Sequence, residues 1–248
     1  MARPWIVISL VLCVVSTVAA APRNKSRRAK RTASSRLMTP ADITATPVYR
    51  YANMTAAECE QELAARRIPY ELDPARGVAM GVRLSGPLRG VEIRTRLNAD
   101  ARATTPYEIS DCRLVLALDD FAAILERHDI VGIRHYSMYR PPPRSWPDDR
   151  LGGQHRGALA IDVGQLIRRD GSVLDIERGF HGRIGARTCG DGAKPRRTTP
   201  EALELRAIIC ETVAAQLFNV VLTPNFNRAH RNHFHLEVMA GVKWILVR

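Results

Sequence analysis

Near the middle of this 248-residue chain, the run ALAIDVG from Ala158 to Gly164 sets one carboxylate among apolar neighbours and glycine. The run does not alternate between apolar and polar positions, so a strand built from it is buried on both faces and takes Asp162 inside. A carboxylate is tolerated there only when charges or hydrogen-bond donors meet it. The chain must therefore fold so that partners converge on this one strand.

The partners on offer are distinctive. His155 lies seven residues earlier, at the end of a long irregular loop that begins with Pro141, Pro142 and Pro143. Far downstream, NRAHRNHFHLEV places His233, His235 and Glu237 at period two on one face of a strand, with Phe234, Leu236 and Val238 turned the other way, into a core. Two imidazoles and a carboxylate, held by a loop and two strands, supply three ligands to zinc and leave the fourth position for water, which is the layout of a catalytic site. Zinc lowers the pKa of such a water toward about 7, so it can attack a carbonyl. Taken singly, His155 is a loop histidine, Asp162 a partner for an arginine and His-x-His a weak signal. The combination carries the reading.

Hydrophobic residues at 46% and charged residues at 25% are ordinary for a globular protein. The first residues have Arg3, an apolar stretch from Trp5 to Val15 and a run of alanines ending at Ala21, which reads as a secretory signal peptide over 1–21, too short an apolar run for the roughly 20 residues of a membrane span. Residues 22–40 are polar and carry Arg23, Lys25, Arg27, Arg28, Lys30, Arg31 and Arg36 without an acid, which is most of the net charge of +12. They read as a disordered basic linker with an attraction for anionic polymers. Removal of the signal takes Cys13 and leaves Cys59, Cys112, Cys189 and Cys210. An even number in an exported chain favours disulfides. Of the three pairings, Cys59 with Cys112 and Cys189 with Cys210 closes the most local loops and is the expected one. No CxxC spacing points to zinc held by cysteine.

Thr55 and Glu58 form a capping-box pair that predicts a helix over 56–67, stopped by Pro69. Cys112 to Leu118 reads as a strand, followed by a helix capped by Asp119 or Asp120; Ile130 to Tyr139 reads as a strand. Residues 158–167 and 173–176 form a hairpin through Asp170-Gly171. Thr199 opens a helix ending near Phe218, and three strands close the chain near 219–223, 233–238 and 243–247. Without a second core or a regular βαβ rhythm, the expectation is one α+β domain over 41–248, a central antiparallel sheet flanked by helices.

GGQHRGALAID followed by NHFH resembles the zinc D-alanyl-D-alanine peptidases and peptidoglycan endopeptidases, whose signature is SxHxxGxAxD with a later HxH. LTPNFNRAHRNHFHLEV and the paired cysteines resemble more closely the bacterial extensin-like C-terminal family, placed in the same superfamily, over roughly 55–248. The resemblance implies the hedgehog/DD-peptidase fold, with His155, Asp162 and His235 as zinc ligands and His233 acting on the attacking water or the reacting amide. It also implies that Arg140, in YSMYRPPP, polarises the substrate carbonyl. His230 is expected to support the site. The chain departs from the signature at Gly153, where the pattern has Ser, and at Ala158, where it has Gly one position after Gly157. Asn232 stands where related dipeptidases carry a Glu, and Glu237, the nearby carboxylate, ranks below His233 as a base.

These features lead to an exported zinc hydrolase, periplasmic or secreted, that cuts a peptide bond in peptidoglycan as a carboxypeptidase or endopeptidase. The alternative is a non-catalytic, zinc-containing cell-wall binding module. No nucleic-acid motif accompanies the positive charge, and no membrane anchor is expected after signal removal.

Overall fold

The computed structural model describes residues 36–39 and 42–248; the expected signal peptide and the expected basic segment up to residue 35 lie outside the described residues. Strand β1 (Arg36–Met38) precedes α1 (Pro47–Ala52), α2 (Ala56–Ala65), β2 (Tyr70–Leu72), β3 (Gly81–Leu84) and β4 (Glu92–Thr95). Next come α3 (Ala99–Thr104), β5 (Ser110–Asp111), α4 (Cys112–Arg127) and β6 (Ile130–His135). The second half holds β7 (Ala160–Arg168), β8 (Val173–Asp175), α5 (Ile176–Gly179), α6 (Pro200–Ala214), β9 (Val220–Leu222), β10 (Phe234–Glu237) and β11 (Ile245–Val247).

The main sheet has the order β1-β11-β9-β10-β7-β6-β4, with β8 beside the second half of β7. Its centre, β9-β10-β7-β6, is antiparallel as expected, whereas β4 with β6 and β9 with β11 are parallel pairs that the sequence reading did not anticipate. Parallel neighbours need a crossover. Helices α3 and α4 lie between the first pair in the chain, and β10 lies between the second. A small antiparallel sheet, β2-β3-β5, completes the α+β architecture. The last residues of the stretch read as linker form β1 and pair with β11, Arg36 opposite Val247. Three residues are too few to show a strand period.

The expectation of a strand over 112–118 is corrected: Cys112–Arg127 is one continuous helix, and its cap is Asp111, whose side chain accepts from Arg113 N. A short apolar run cannot be assigned to strand or helix by periodicity when the element is buried nearly all round. Here Leu114 to Leu118, Phe121, Ala122 and Leu125 are all fully buried. Asp119 and Asp120 cap nothing. Arg66 Nη1 reaches both, at 3.0 Å each, and Arg89 Nε donates to Asp119 at 3.1 Å, so two mid-helix carboxylates meet cations from neighbouring segments.

Other local signals hold. The Thr55–Glu58 capping box is formed in both directions, and Thr199 caps α6 with Pro200 in its first turn. Helix α6 stops at Ala214, earlier than expected, while Leu217 and Phe218 stay buried beyond it. Phe218 meets Phe121 edge to face at 6.0 Å, and Phe234 meets Phe180 at 5.4 Å. Together with Ile161, Val163, Leu236 and Val238 they belong to one core between the sheet and the helices. Both disulfides form with the expected pairing, Cys59–Cys112 joining α2 to the start of α4 and Cys189–Cys210 joining a long loop to α6. Among the described residues no helix is long and apolar enough to cross a membrane.

Candidate metal centre

Strands β7 and β10 pair so that His235 lies opposite Asp162, and Phe234 opposite Val163. Alternation then sorts the side chains: Phe234, Leu236 and Val238 enter the core, while His235 and Glu237 turn to the face that Asp162 occupies. His155 arrives from the one-turn helix Gln154–Gly157 at the end of the proline loop. Two backbone contacts place that turn: Arg140 N donates to His155 O at 2.8 Å, and Leu159 N to Gln154 O at 2.9 Å.

The motif's departures now have a physical reading. Ala158 sits in the left-handed region, φ 53° and ψ 30°, which explains why the signature has Gly there. Alanine holds that conformation at a cost of about 1 kcal/mol. Gly157 is required for a different reason, since a Cβ there would lie 2.1 Å from Gly152 O. Gly153 is the N-cap of the turn, where a Cβ would meet nothing within 4 Å, so a serine would fit there and its replacement by glycine leaves the turn without a side-chain cap.

Asp162, 3% exposed, is the hub. Its Oδ1 is 2.9 Å from His235 Nδ1 and 3.4 Å from His233 Nε2; its Oδ2 is 3.2 Å from His155 Nε2 and accepts from Arg140 Nη2. Burial by itself raises the Asp162 carboxyl, but hydrogen bonds from His155 and His235 and the nearby imidazoles outweigh it and hold it far below the usual carboxylate range. His235 is buried too, which disfavours its charge, yet Asp162 on one nitrogen and Glu237 Oε2, 3.4 Å from the other, raise it to about 9. His233 goes the opposite way: burial, with neighbouring histidines, lowers it to about 4.

The remaining residues hold these rings in place. Met138 O accepts from His155 Nδ1 at 3.0 Å, which turns Nε2 toward Asp162. Asn232 Oδ1 is 2.9 Å from His233 Nδ1, and its Nδ2 donates to Tyr136 OH at 3.1 Å. Asn232 is thus an anchor for His233. His230 is held by Asn227 Oδ1 at 2.8 Å, with its ring 5.0 Å from that of His233. The sequence reading noted Asn232 only as a departure from a motif and did not single out Tyr136 or Asn227, because hydrogen bonding to a histidine leaves no spacing signal. Arg140 forms the ion pair with Asp162 while 53% of its side chain stays exposed.

One donor atom from each of His155, Asp162 and His235 lies within 4.8 Å of the other two. The edge of a tetrahedron with metal–ligand bonds of about 2.0 Å is about 3.3 Å. The two imidazoles approach different oxygens of Asp162, His155 Nε2 at 3.2 Å from Oδ2 and His235 Nδ1 at 2.9 Å from Oδ1, so the three residues stand within a small adjustment of that spacing, and the mixed imidazole and carboxylate donors suit zinc. Glu237, 1% exposed, backs His235 as carboxylates commonly back a ligating histidine, and its Oε1 has no hydrogen-bond partner among the described residues. These residues fit a metal ion. They line a cleft of about 640 Å³ whose surface continues across the sheet through apolar residues, Leu222 beside His235, Val220 beside Glu237 and Leu246 beside Val220, together with Met239 and Trp244.

A pH dependence follows. An imidazole must lose its proton to become a ligand, and His235 keeps its proton to about pH 9, above the ordinary 6.5. Zinc uptake at neutral pH is therefore expected to release a proton, with affinity rising about tenfold per pH unit until His235 titrates by itself. Titration calorimetry in buffers of different ionisation enthalpy measures the released proton, and an affinity unchanged between pH 6.5 and 8.5 would contradict the assignment.

The fold and this cluster define an α+β domain with a buried two-histidine, one-carboxylate site open to a cleft. The chain belongs to the family described as Extensin-like protein C-terminus, whose model matches residues 55–248. No curated protein and no solved structure gives a match.

Proposed function

We propose that the protein is an exported zinc-dependent hydrolase that cuts a peptide bond in peptidoglycan. The observation that carries this reading is the convergence of His155, His235 and His233 on one buried carboxylate at an open cleft. The resemblance of the two motifs to zinc D-alanyl-D-alanine peptidases, with the hedgehog/DD-peptidase fold it implies, supports the substrate class. Two disulfides accord with an oxidising compartment, periplasmic or extracellular.

His155, Asp162 and His235 hold the zinc, which when bound supplies Lewis acidity and an activated water. His233 is neutral at pH 7, because burial holds it near 4, and its Nε2 faces Asp162. It accepts the proton of the attacking water and passes it to the leaving amine, so amide and water become carboxylate and ammonium. Asn232 and Tyr136 fix its ring. Arg140, half exposed at the cleft, offers its guanidinium to the carbonyl oxygen as negative charge develops there. The apolar surface beside the centre, with Trp244, receives the apolar parts of the substrate.

The test is digestion of purified peptidoglycan by zinc-loaded protein, with mass analysis of released fragments. New termini are expected with the parent, none with chelator, and a rate lower by about 10²- to 10⁴-fold in His233→Ala. A zinc-loaded chain that sediments with peptidoglycan and releases nothing is instead a wall-binding module.

A further inference from the structure

The loop from His181 to Thr199 carries Arg183, Arg187, Lys194, Arg196 and Arg197 against the single acid Asp191. Such a segment repels itself, yet it is fastened down. Cys189 ties it to α6. The buried Asn225 accepts from Arg183 N at 2.8 Å and donates to Arg187 O at 3.2 Å, and Arg196 N donates to His181 O at 2.9 Å. Gly182 allows the close approach, since a Cβ there would lie 2.9 Å from Asn225 Oδ1.

This lacing holds the loop against the β9–β10 connection and shapes a groove of about 680 Å³, lined by His181, Arg183, Arg196, Arg197, Arg228 and Arg231. All five arginines are exposed. Among the described residues only Arg231 has an acidic partner, Glu177 at 3.4 Å. The short segment around the turn Arg228–His230 lends Ala229 and His230 to the metal cleft and Arg228 and Arg231 to the groove, so one stretch of chain lines both. Five guanidinium groups gathered around a single lining acid, Glu177, create a positive field, and their planar forks match carboxylate and phosphate oxygens. The groove is lined by no Trp, Tyr or Phe on which nucleic-acid bases would stack.

We propose that this groove binds the oxyanions of an extended wall polymer and so holds the substrate beside the metal centre; the substrate assignment rests on the function proposed above. The ligand chemistry is a carboxylate or phosphate borne on a chain. Its two sources in a wall are stem-peptide carboxylates and attached phosphodiester polymers.

The experiment is sedimentation of the full chain with purified peptidoglycan sacculi in chelator, where binding is read without hydrolysis. The variant Arg183→Gln/Arg196→Gln/Arg197→Gln is compared with Arg67→Gln/Arg127→Gln/Arg169→Gln, which removes the same charge from exposed positions elsewhere. Affinity at low salt is expected to fall about tenfold in the groove variant, with a weaker salt dependence, and much less in the control. Amidating the sacculi's carboxylates abolishes the difference if the stem peptide is the source; stripping phosphodiester polymers with hydrofluoric acid abolishes it if they are. Parent-like binding by the groove variant, or equal losses in both variants, overturns the proposal. Sacculi that bind through the arginines yet release no fragments to the zinc-loaded parent leave the groove standing and count against the hydrolase alone.

Discussion

Asp162→Asn is expected to leave the chain folded but without zinc, weakening the metal by at least about a thousandfold, well beyond the 10- to 100-fold that follows loss of an outer partner. The size comes from the residue's position. It is one of the three candidate donors, and it is also the group on which His155, His233, His235 and Arg140 all converge. Glu237→Gln provides the comparison. It keeps the ligands but removes the charge behind His235, so affinity is expected to fall only about 10- to 100-fold. His155→Ala and His235→Ala should behave like the aspartate variant. Elemental analysis of purified protein and zinc titration, with circular dichroism as the check on folding, measure all four. Asp162→Asn or the histidine variants binding zinc as the parent does would remove the metal centre from the account.

Removing the Cys59–Cys112 disulfide by paired alanine substitution is expected to cost the second large amount. The bond spans 53 residues, for which the loop-entropy model gives about 4 kcal/mol, and it links two helices at side chains that are 1% and 0% exposed. The Cys189–Cys210 bond spans 21 residues and stands at about 3 kcal/mol. Denaturant unfolding of the oxidised parent and the two paired variants measures both. The smaller loss carries a local consequence, because Cys189 anchors the arginine-rich loop. Its variant should bind anionic wall polymer less well even under conditions where the domain remains folded, whereas the Cys59–Cys112 variant should not. Equal stability of all three chains would contradict the entropic argument.

Much of the centre is legible before folding because its chemistry leaves marks at short range. A carboxylate inside ALAIDVG has to be paired, and HFHLE alternates imidazole and carboxylate with apolar residues at the strand period. Those marks identify β7, β10 and the face of each that carries the site. The same local rules give the capping box at Thr55, the proline start of α6 and the turn at Asp170-Gly171, each decided within a few residues.

The failures share one cause. CRLVLALDDF carries too little periodicity to separate strand from helix, because the element it forms is buried almost all round; Arg66 and Arg89 meet the aspartates that look like caps. The parallel pairing of β4 with β6 and the pairing of β1 with β11 depend on segments far apart in the chain. So do the roles of Asn232, Tyr136 and Asn227, and the opposite proton affinities of His233 and His235, two residues apart on one strand. His235 faces two carboxylates and holds its proton to about 9, while His233 is buried beside other imidazoles and falls to about 4. Residue type and spacing picked out the groups that meet at the candidate centre, because backbone geometry repeats every few residues. Which nitrogen faces which oxygen, and where the arginines gather, was decided by tertiary packing, because hydrogen bonds and charges act between whatever the fold brings within a few ångströms.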